Sequence, residues 1–228
     1  MCKSRDFLGG KLLIAAPNMG DPRFDRTVIL LCAHDERHAM GVVVNKPLKN
    51  VDLADMLDQV EAERRDAFVG APVYFGGPVG QEKGLVVHTL DYRREETIEI
   101  GPNLGLTVSR AILVDIAAGG GASEADDGHQ HGADADAATA DNRAAPQDET
   151  ANAPSRHLLV AGHAGWGPGQ LESEIAANAW AHCEADEALV FADNPSDTWQ
   201  SAFARLGVTE AMFSPEWSSS RGGDTPLN

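Results

Sequence analysis

The segment from Leu158 to Glu174, LLVAGHAGWGPGQLESE, constrains the fold more than any other part of the chain. Its first half is an apolar run typical of a buried strand, and its second half has the apolar spacing of an amphipathic helix. Three glycines around Trp166 join the halves, and Pro168 stands near the first helical turn, where its missing N–H costs little. The segment therefore predicts a strand that turns directly into a helix.

The glycine turn has two interpretations. Exposed N–H groups at Gly167 and Gly169, together with the Gln170 side chain, could bind an anion, and Trp166 could stack on a flat ligand. The turn holds no lysine, serine or threonine of a phosphate loop, and a tight backbone crossing also requires glycine. We expect a packing device and keep ligand binding as the alternative.

Charge and composition exclude several classes of function. The 228 residues carry 18 basic and 35 acidic side chains, and this formal net charge of −17 disfavours direct nucleic-acid and anionic-membrane binding. No apolar run reaches the roughly 20 residues of a membrane span, and the N-terminus lacks the apolar stretch of a secretory signal. The 3 cysteines include no CxxC pair. We expect a cytoplasmic protein with no metal site and no cofactor.

An abrupt change in composition interrupts the chain at 119–155. This segment contains none of Leu, Ile, Val, Met, Phe, Trp, Tyr or Cys, and it cannot bury enough apolar surface to offset its ordering entropy. His129 and His131 lie there among carboxylates, but a flexible loop fixes no metal geometry. We predict one domain over 1–213, interrupted by a disordered acidic insertion at 119–155 and followed by a flexible tail at 214–228.

Apolar runs outside the insertion predict an α+β fold. Several runs are apolar on both faces, which indicates central strands covered on each side. The predicted strands are 12–16, 27–33, 40–44, 73–75, 84–90, 97–100, 157–163 and 189–191. The predicted helices run through 53–60, through 112–116 after a Ser109 cap, from about 196 to 206, and through one face made of Leu171, Ile175, Ala179, Trp180 and Cys183. Short turns between strands favour α+β over a doubly wound sheet.

Four segments rich in glycine, proline or charge could together form a ligand site. They are PNMGDPRFDR at 17–26, VNKP at 44–47, FGGPV at 75–79 and the glycine turn. The charged residues of the first segment suit acid–base chemistry or, more commonly, an ion-pair network that anchors the loop. Lysine before proline suits an anionic ligand or a solvated turn, and the paired glycines permit close approach of a ligand or of another backbone. The candidate ligand-binding residues are Asn45, Lys46, Gly76, Gly77, His163, Trp166, Gly167, Gly169 and Gln170.

No catalytic residue can be assigned. Cys32 and His34 form a C-x-H pair on one predicted strand, which would place both side chains on the same face and could yield a reactive thiolate. Cys32 ends an apolar run, however, so an inert core thiol is the preferred interpretation. The chain has no GxSxG elbow, no HExxH motif and no Walker lysine.

Five segments occur in an order that resembles the YqgE/AlgH family of bacterial proteins, also called UPF0301. They are FLGGKLLIAAPNMGDPRFDRTVILLCAHD, GVVVNKPL, PVYFGGPV, HTLDY and GHAGWGPGQLESEI. The resemblance implies a mixed, bifurcated β-sheet, partly curled into a small barrel and surrounded by helices. It implies no established enzyme activity, and the family's association with transcriptional regulation comes without a recognised DNA-binding motif. His163 stands where the family more often has tyrosine, and Ala33 replaces its usual glutamate.

Two functions remain open at this point. The first is a noncatalytic protein that acts through an unidentified protein partner or small ligand and affects transcription indirectly. The second is a hydrolase or phosphate-ligand enzyme with a site between the four segments. The second function requires that these segments meet in the fold and that their polar groups stay free of internal hydrogen bonds.

Overall fold

The computed structural model describes residues 7–52, 71–118 and 152–208. The helix predicted through 53–60, most of the predicted insertion and the predicted tail lie outside these ranges. At the described end of the predicted insertion, Pro154 is buried and the Ser155 N–H donates to the Asp91 carboxylate at 3.0 Å. Residues 152–155 are therefore part of the folded domain.

The described residues form ten strands and four α-helices. The strands are β1 (Lys11–Ala15), β2 (Val28–His34), β3 (Ala39–Val43), β4 (Pro47–Asp52), β5 (Pro72–Phe75), β6 (Val79–Thr89), β7 (Ile98–Ile100), β8 (Leu104–Thr107), β9 (His157–Trp166) and β10 (Trp180–Glu184). The helices are α1 (Ala111–Ala118), α2 (Gln170–Ala176), α3 (Glu187–Val190) and α4 (Thr198–Arg205), with a short 3-10 helix at Pro22–Phe24.

The strands form one curled sheet that forks at β9. The main path runs β10-β1-β2-β3-β9-β6-β8-β7, and β4 joins the sheet through β5. On one side of β9, residues 159–161 pair with β5 in parallel, whereas residues 164–166 pair with β3 in antiparallel. The other side of β9 pairs with β6 from His157 to His163, with a register shift between Val79 and Gly84. The predicted α+β class, with a mixed, bifurcated and partly curled sheet, is confirmed.

Three apolar cores cover the two faces of this sheet. The central core receives Leu189, Trp199 and Phe203 from α3 and α4. The α1 core packs the helix α1 against β5, β6 and β9. The α2 core packs α2 against β1, β2, β3 and β9. Side chains that alternate along β1 and β2 enter the central core and the α2 core in turn, and this explains why those runs are apolar on both faces.

The helix predicted through Leu171, Ile175, Ala179, Trp180 and Cys183 is wrong beyond Ala176. Asn178 adopts a left-handed conformation with φ 59°, which ends the helical path. The chain then forms β10, which pairs with β1 through Trp180 opposite Ala15. The apolar residues fit a helical period, but hydrogen bonding along the edge of the sheet overrides that local pattern.

The strand predicted at 189–191 is also wrong, because Glu187–Val190 forms α3. Asp186 caps this helix by accepting a hydrogen bond from the Ala188 N–H at 2.7 Å. A short apolar run does not distinguish a buried strand from a buried helical turn. Strands β4, β8 and β10 were not predicted, whereas the other seven strands, α1 and α4 are confirmed.

Truncation of the central core should destabilise the whole domain. Leu30 is fully buried, so Leu30→Ala should lower the free energy of unfolding by about 2–5 kcal/mol. Val114, on the exposed face of α1, supplies the control, and Val114→Ala should change that free energy by less than about 0.5 kcal/mol. Urea denaturation followed by circular dichroism measures both variants. Equal effects would show that the central core is assigned incorrectly.

Candidate functional site

The Asn45 side chain is held by two backbone groups. Asn45 follows β3 and is buried. Its Oδ1 accepts from the Val28 N–H at 2.8 Å, and its Nδ2 donates to the Arg26 carbonyl at 2.9 Å. Arg26 has a left-handed φ of 50°, so this amide closes the end of the 17–26 loop onto β2. The Asn45 amide therefore joins the 17–26 loop to the sheet.

Lys46 lies at the surface beside the same loop. Its ammonium group donates to the Arg23 carbonyl at 3.2 Å. Partial burial lowers the pKa of Lys46, while the Asp25 carboxylate acts in the opposite direction. Arg23 pairs with Asp21 at 2.6 Å, and this hydrogen-bonded guanidinium lowers the pKa of the Asp21 carboxyl. The 17–26 loop thus contains an internal ion pair.

Gly76 and Gly77 lie where the sheet forks. The Gly76 carbonyl accepts from the Val43 N–H at 2.8 Å, and the Gly76 N–H donates to the Ala161 carbonyl at 2.8 Å. A Cβ at Gly76 would stand 2.1 Å from the carbonyl oxygen of Gly162. Gly77 has φ 155°, and a Cβ there would stand 2.1 Å from the carbonyl carbon of His163. These two glycines permit a backbone crossing, which is the packing interpretation of the FGGPV segment.

A carboxylate from α2, the helix that follows the glycine turn, holds the turn in place. Glu174 Oε2 accepts from the indole N–H groups of Trp166 at 2.9 Å and Trp180 at 2.8 Å. Gln170 donates to Glu174 Oε1 at 2.8 Å and accepts from the Gly167 N–H at 3.1 Å. We call Trp166, Gln170, Glu174 and Trp180 the Glu174 clamp. The polar groups of the turn that could bind an anion are therefore largely occupied.

The structure brings three of the four predicted segments together. Asn45 and Lys46 bond to the 17–26 loop, and the Phe75 N–H donates to the Lys46 carbonyl at 2.8 Å. The glycine turn begins after Trp166, which pairs with Ala39 at the opposite end of β3. At about 3.3 Å per residue, Gly167, Gly169 and Gln170 lie roughly 20 Å along the strand from Asn45. His163 lies between these regions, opposite Val79 of β6.

The expectation that Cys32 and His34 share one face is wrong. A register shift between Leu31 and Ala33 breaks the alternation of side chains in β2. Cys32 belongs to the central core, and burial raises the pKa of its thiol to about 12. His34 instead accepts from the Leu8 N–H at 2.9 Å, and its Nε2 faces Glu172 of α2 at 3.5 Å. The thiol and the imidazole cannot act as a pair.

Comparison with known proteins decides the family. A protein-family model described as AlgH-like matches residues 12–130 and 121–211. The chain belongs to the AlgH-like family. A UPF0301 protein of Jannaschia sp. (strain CCS1) is 38% identical over 211 residues, which are 92% of this chain and 93% of the relative. A UPF0301 protein of Caulobacter vibrioides (strain NA1000 / CB15N) is 36% identical over 208 residues, which are 90% and 89% of the two chains.

Two solved structures share the fold of this AlgH-like chain. The solution structure of the AlgH protein from Pseudomonas aeruginosa matches with a TM-score of 0.65 and 31% identity, covering 100% of both chains. The crystal structure of protein DIP2367 from Corynebacterium diphtheriae matches with a TM-score of 0.59 and covers 90% of both chains. At 23% identity, the second match supports the fold alone. The predicted resemblance to the YqgE/AlgH family is confirmed.

An open cleft in this AlgH-like domain is lined by none of the predicted site residues. It is lined by Tyr74 of β5, by Arg156 and His157 at the start of β9, and by Phe191 and Asp193 after α3. None of these five residues was a sequence candidate. The available signal was an arginine–histidine pair between the acidic segment and a buried strand, but only the fold places Tyr74 beside that pair.

Two histidines form a cross-strand pair near this cleft. His88 of β6 lies opposite His157 of β9. His88 is fully buried, and because its Nδ1 donates to the Thr89 carbonyl at 2.9 Å, its Nε2 accepts from the Thr107 hydroxyl at 2.9 Å. Burial lowers the pKa of both histidines from 6.5, and the charge of His88 further lowers the pKa of His157. The fold therefore favours two neutral imidazoles.

Removal of the Glu174 carboxylate should loosen the glycine turn. Glu174→Ala leaves two indole N–H groups unpaired, each on a tryptophan that is mostly buried. We expect the free energy of unfolding to fall by about 2 kcal/mol or more, since an unsatisfied buried donor costs about 1–3 kcal/mol. Urea titration followed by tryptophan fluorescence measures the change. Glu36→Ala, at an exposed turn, should leave both stability and emission unchanged.

The histidine pair should make stability depend on pH. Because the pKa of each histidine is lower in the folded state than the ordinary 6.5, the unfolded chain binds more protons in this range. The contribution of the two histidines to the free energy of unfolding is therefore complete above pH 6.5. It is lost as the pH falls through their pKa values in the folded state. Urea midpoints between about pH 5 and 8 should show a slope that His88→Gln and His157→Gln each reduce. The exposed His182→Gln variant should keep the wild-type slope.

Proposed function

We propose that this AlgH-like protein acts without catalysis in the cytoplasm, through a protein partner or a small ligand, and affects transcription only indirectly. One observation carries the proposal: the Asn45, Gln170 and Glu174 side chains are bonded to the protein itself. Asn45 bonds to two backbone groups, and Gln170 and Glu174 belong to the Glu174 clamp. A catalytic site needs polar groups that are free to meet a substrate.

The burial of the Cys32 thiol supports this proposal. The Cys32 thiol is buried and has a pKa of about 12, so thiolate chemistry is disfavoured. Among the residues that the structure describes, no three His, Cys, Asp or Glu side chains are grouped so that they could hold a metal ion. No helix in the described part of the chain is long and apolar enough to cross a membrane.

The charge of the chain supports an indirect effect on transcription. A formal net charge of −17 opposes the approach of a DNA backbone, which proteins normally neutralise with clustered lysine and arginine. In this proposal, regulation passes through the bound partner or ligand. Direct contact with an operator is not required.

A hydrolase or phosphate-ligand enzyme is the second candidate. One observation favours it: the 17–26 loop, Lys46 and the FGGPV segment meet at the fork of the sheet. The Lys46 ammonium group makes one hydrogen bond, to Arg23, among the described residues, and an ammonium has three donors. Such a group could attract a phosphate at the surface of the loop. In this arrangement, the glycine turn would take no part in the site.

Assays for turnover separate the two candidates. The purified protein should hydrolyse neither ester nor phosphoester substrates above the rate of buffer, because the Cys32 thiol is buried away from His34 and the Thr107 hydroxyl beside His88 is fully buried. Lys46→Ala and His163→Ala are measured beside the wild type, with product formation followed by mass spectrometry. Turnover that either substitution abolishes would overturn the noncatalytic proposal. Activity that survives both substitutions would indicate a contaminating enzyme or a different site.

A further inference from the structure

The cleft beside Tyr74 has the size of a small-ligand site. Its volume is about 380 Å³, within the range of about 300–1,000 Å³ that ligand pockets occupy. Its lining comes from β5, from the first residues of β9 and from the chain after α3. Pro72, Leu158 and Phe191 supply apolar surface, while Tyr74 and Arg156 supply polar atoms.

One polar side chain of the cleft makes no hydrogen bond among the described residues. The Tyr74 ring is buried, and its hydroxyl has no partner in the part of the chain that the structure describes. Burial raises the pKa of Tyr74, so the hydroxyl is neutral near pH 7 and can donate and accept a hydrogen bond. His157 also lines the cleft, but along β9 its side chain follows the α1 face, as Leu159 does, and not the face of Tyr74.

Arg156 is a fixed guanidinium that forms no ion pair with a described carboxylate. It donates to the Phe191 carbonyl, and its guanidinium carbon lies 5.2 Å from the centre of the Phe191 ring. A second cavity, of about 360 Å³, opens on another side of Arg156 and is lined by Asp91, Arg93 and Glu187. A chain with 35 acidic and 18 basic residues offers many possible partners for an arginine. An ordered arginine that lines two cavities and has no carboxylate partner among the described residues is therefore suited to a ligand anion.

The surrounding charges limit what that anion can be. Arg156 is the basic side chain that lines the Tyr74 cleft among the described residues, and Asp193 lines the same cleft. One guanidinium balances one negative charge, and a doubly charged phosphate would also meet repulsion from Asp193. The planar guanidinium fits a carboxylate through two parallel hydrogen bonds. A singly charged carboxylate is thus preferred over a phosphate.

We propose that the Tyr74 cleft binds a small monocarboxylate, with its carboxylate on Arg156 and its apolar body against Leu158 and Phe191. This inference rests on the proposed function, which it deepens by naming the site and the chemical class of the ligand. The Tyr74 hydroxyl, on the same face of the sheet as Leu158 and Phe191, is available to bond a second polar group of the same molecule. A cavity of about 380 Å³ accommodates a body the size of an aromatic ring with a short chain.

Matched probes test the proposal on the full chain. Phenylacetate carries the proposed carboxylate and apolar body, phenylacetamide is its neutral counterpart, and inorganic phosphate is the competing anion. Titration followed by ¹H–¹⁵N NMR should give a dissociation constant of about 1–10 mM for phenylacetate, as expected for a small fragment. Shifts should concentrate at residues 72–74, 156–158 and 191–193. Phenylacetamide and phosphate should each bind at least about tenfold more weakly.

Three variants connect the binding to the named side chains. Arg156→Gln should weaken phenylacetate binding at least about tenfold, and Arg156→Lys should retain part of the affinity because it keeps the charge. Tyr74→Phe, which removes only the hydroxyl, should leave phenylacetate binding unchanged but weaken the binding of a hydroxylated analogue, 4-hydroxyphenylacetate. Arg37→Gln changes an exposed arginine at the turn between β2 and β3 and serves as the control for charge. Circular dichroism confirms that each variant is folded.

The outcomes separate this inference from the proposed function. Shifts that map elsewhere, equal binding of phenylacetamide, equal losses in Arg156→Gln and Arg37→Gln, or no binding of phenylacetate would overturn the monocarboxylate site. None of these results would be evidence of enzyme activity, so the noncatalytic proposal would stand. Turnover that Lys46→Ala abolishes would overturn the noncatalytic proposal, while phenylacetate binding lost in Arg156→Gln would still support the cleft.

Discussion

The fork of β9 is the constraint on which the rest of the structure depends. β9 pairs with β6 along one side and divides its other side between β5 and β3. At that division the backbones of Gly76 and Gly77 pass so close to Gly162 and His163 that a Cβ on either glycine would overlap with main-chain atoms. Moving one backbone away would break hydrogen bonds of Gly76 to both Val43 and Ala161. All three cores take side chains from β9, so the fork also determines how α1 and α2 pack.

Polar side chains near the glycine-rich segments stabilise irregular backbone. The 17–26 loop has few regular backbone partners, and the Asn45 amide supplies them by joining Arg26 to Val28. At the glycine turn, the Glu174 carboxylate joins the end of β9, the helix α2 and the start of β10 through two tryptophans. In both places a side chain replaces the hydrogen bonds that a strand or helix would provide. Asn45 and Gln170, two of the candidate ligand-binding residues, therefore also stabilise the fold.

The Tyr74 cleft differs from those regions because, among the described residues, the Tyr74 hydroxyl makes no hydrogen bond and the Arg156 guanidinium has no carboxylate partner. Tyr74 approaches the cleft from β5, and Arg156 is fixed by the Phe191 carbonyl and ring. On the α1 face of the sheet, His157 lies opposite His88, which bonds to Thr107, and Thr107 bonds to Thr97. Rigid strands hold these groups in place, and this reduces the ordering cost of binding a ligand.

The sequence alone determined the α+β class, seven of the ten described strands, two of the helices and the family. It could do so because apolar periodicity and characteristic glycine motifs are local signals. Tertiary structure decided that Trp180 begins an edge strand, because its pairing with Ala15 is a contact between distant residues. It also decided that Asn45 and Gln170 lie near opposite ends of β3, and that Tyr74 and Arg156 line the same cleft. A glycine or tryptophan does not reveal whether a ligand or the protein's own backbone will contact it; only the path of distant strands specifies which one does.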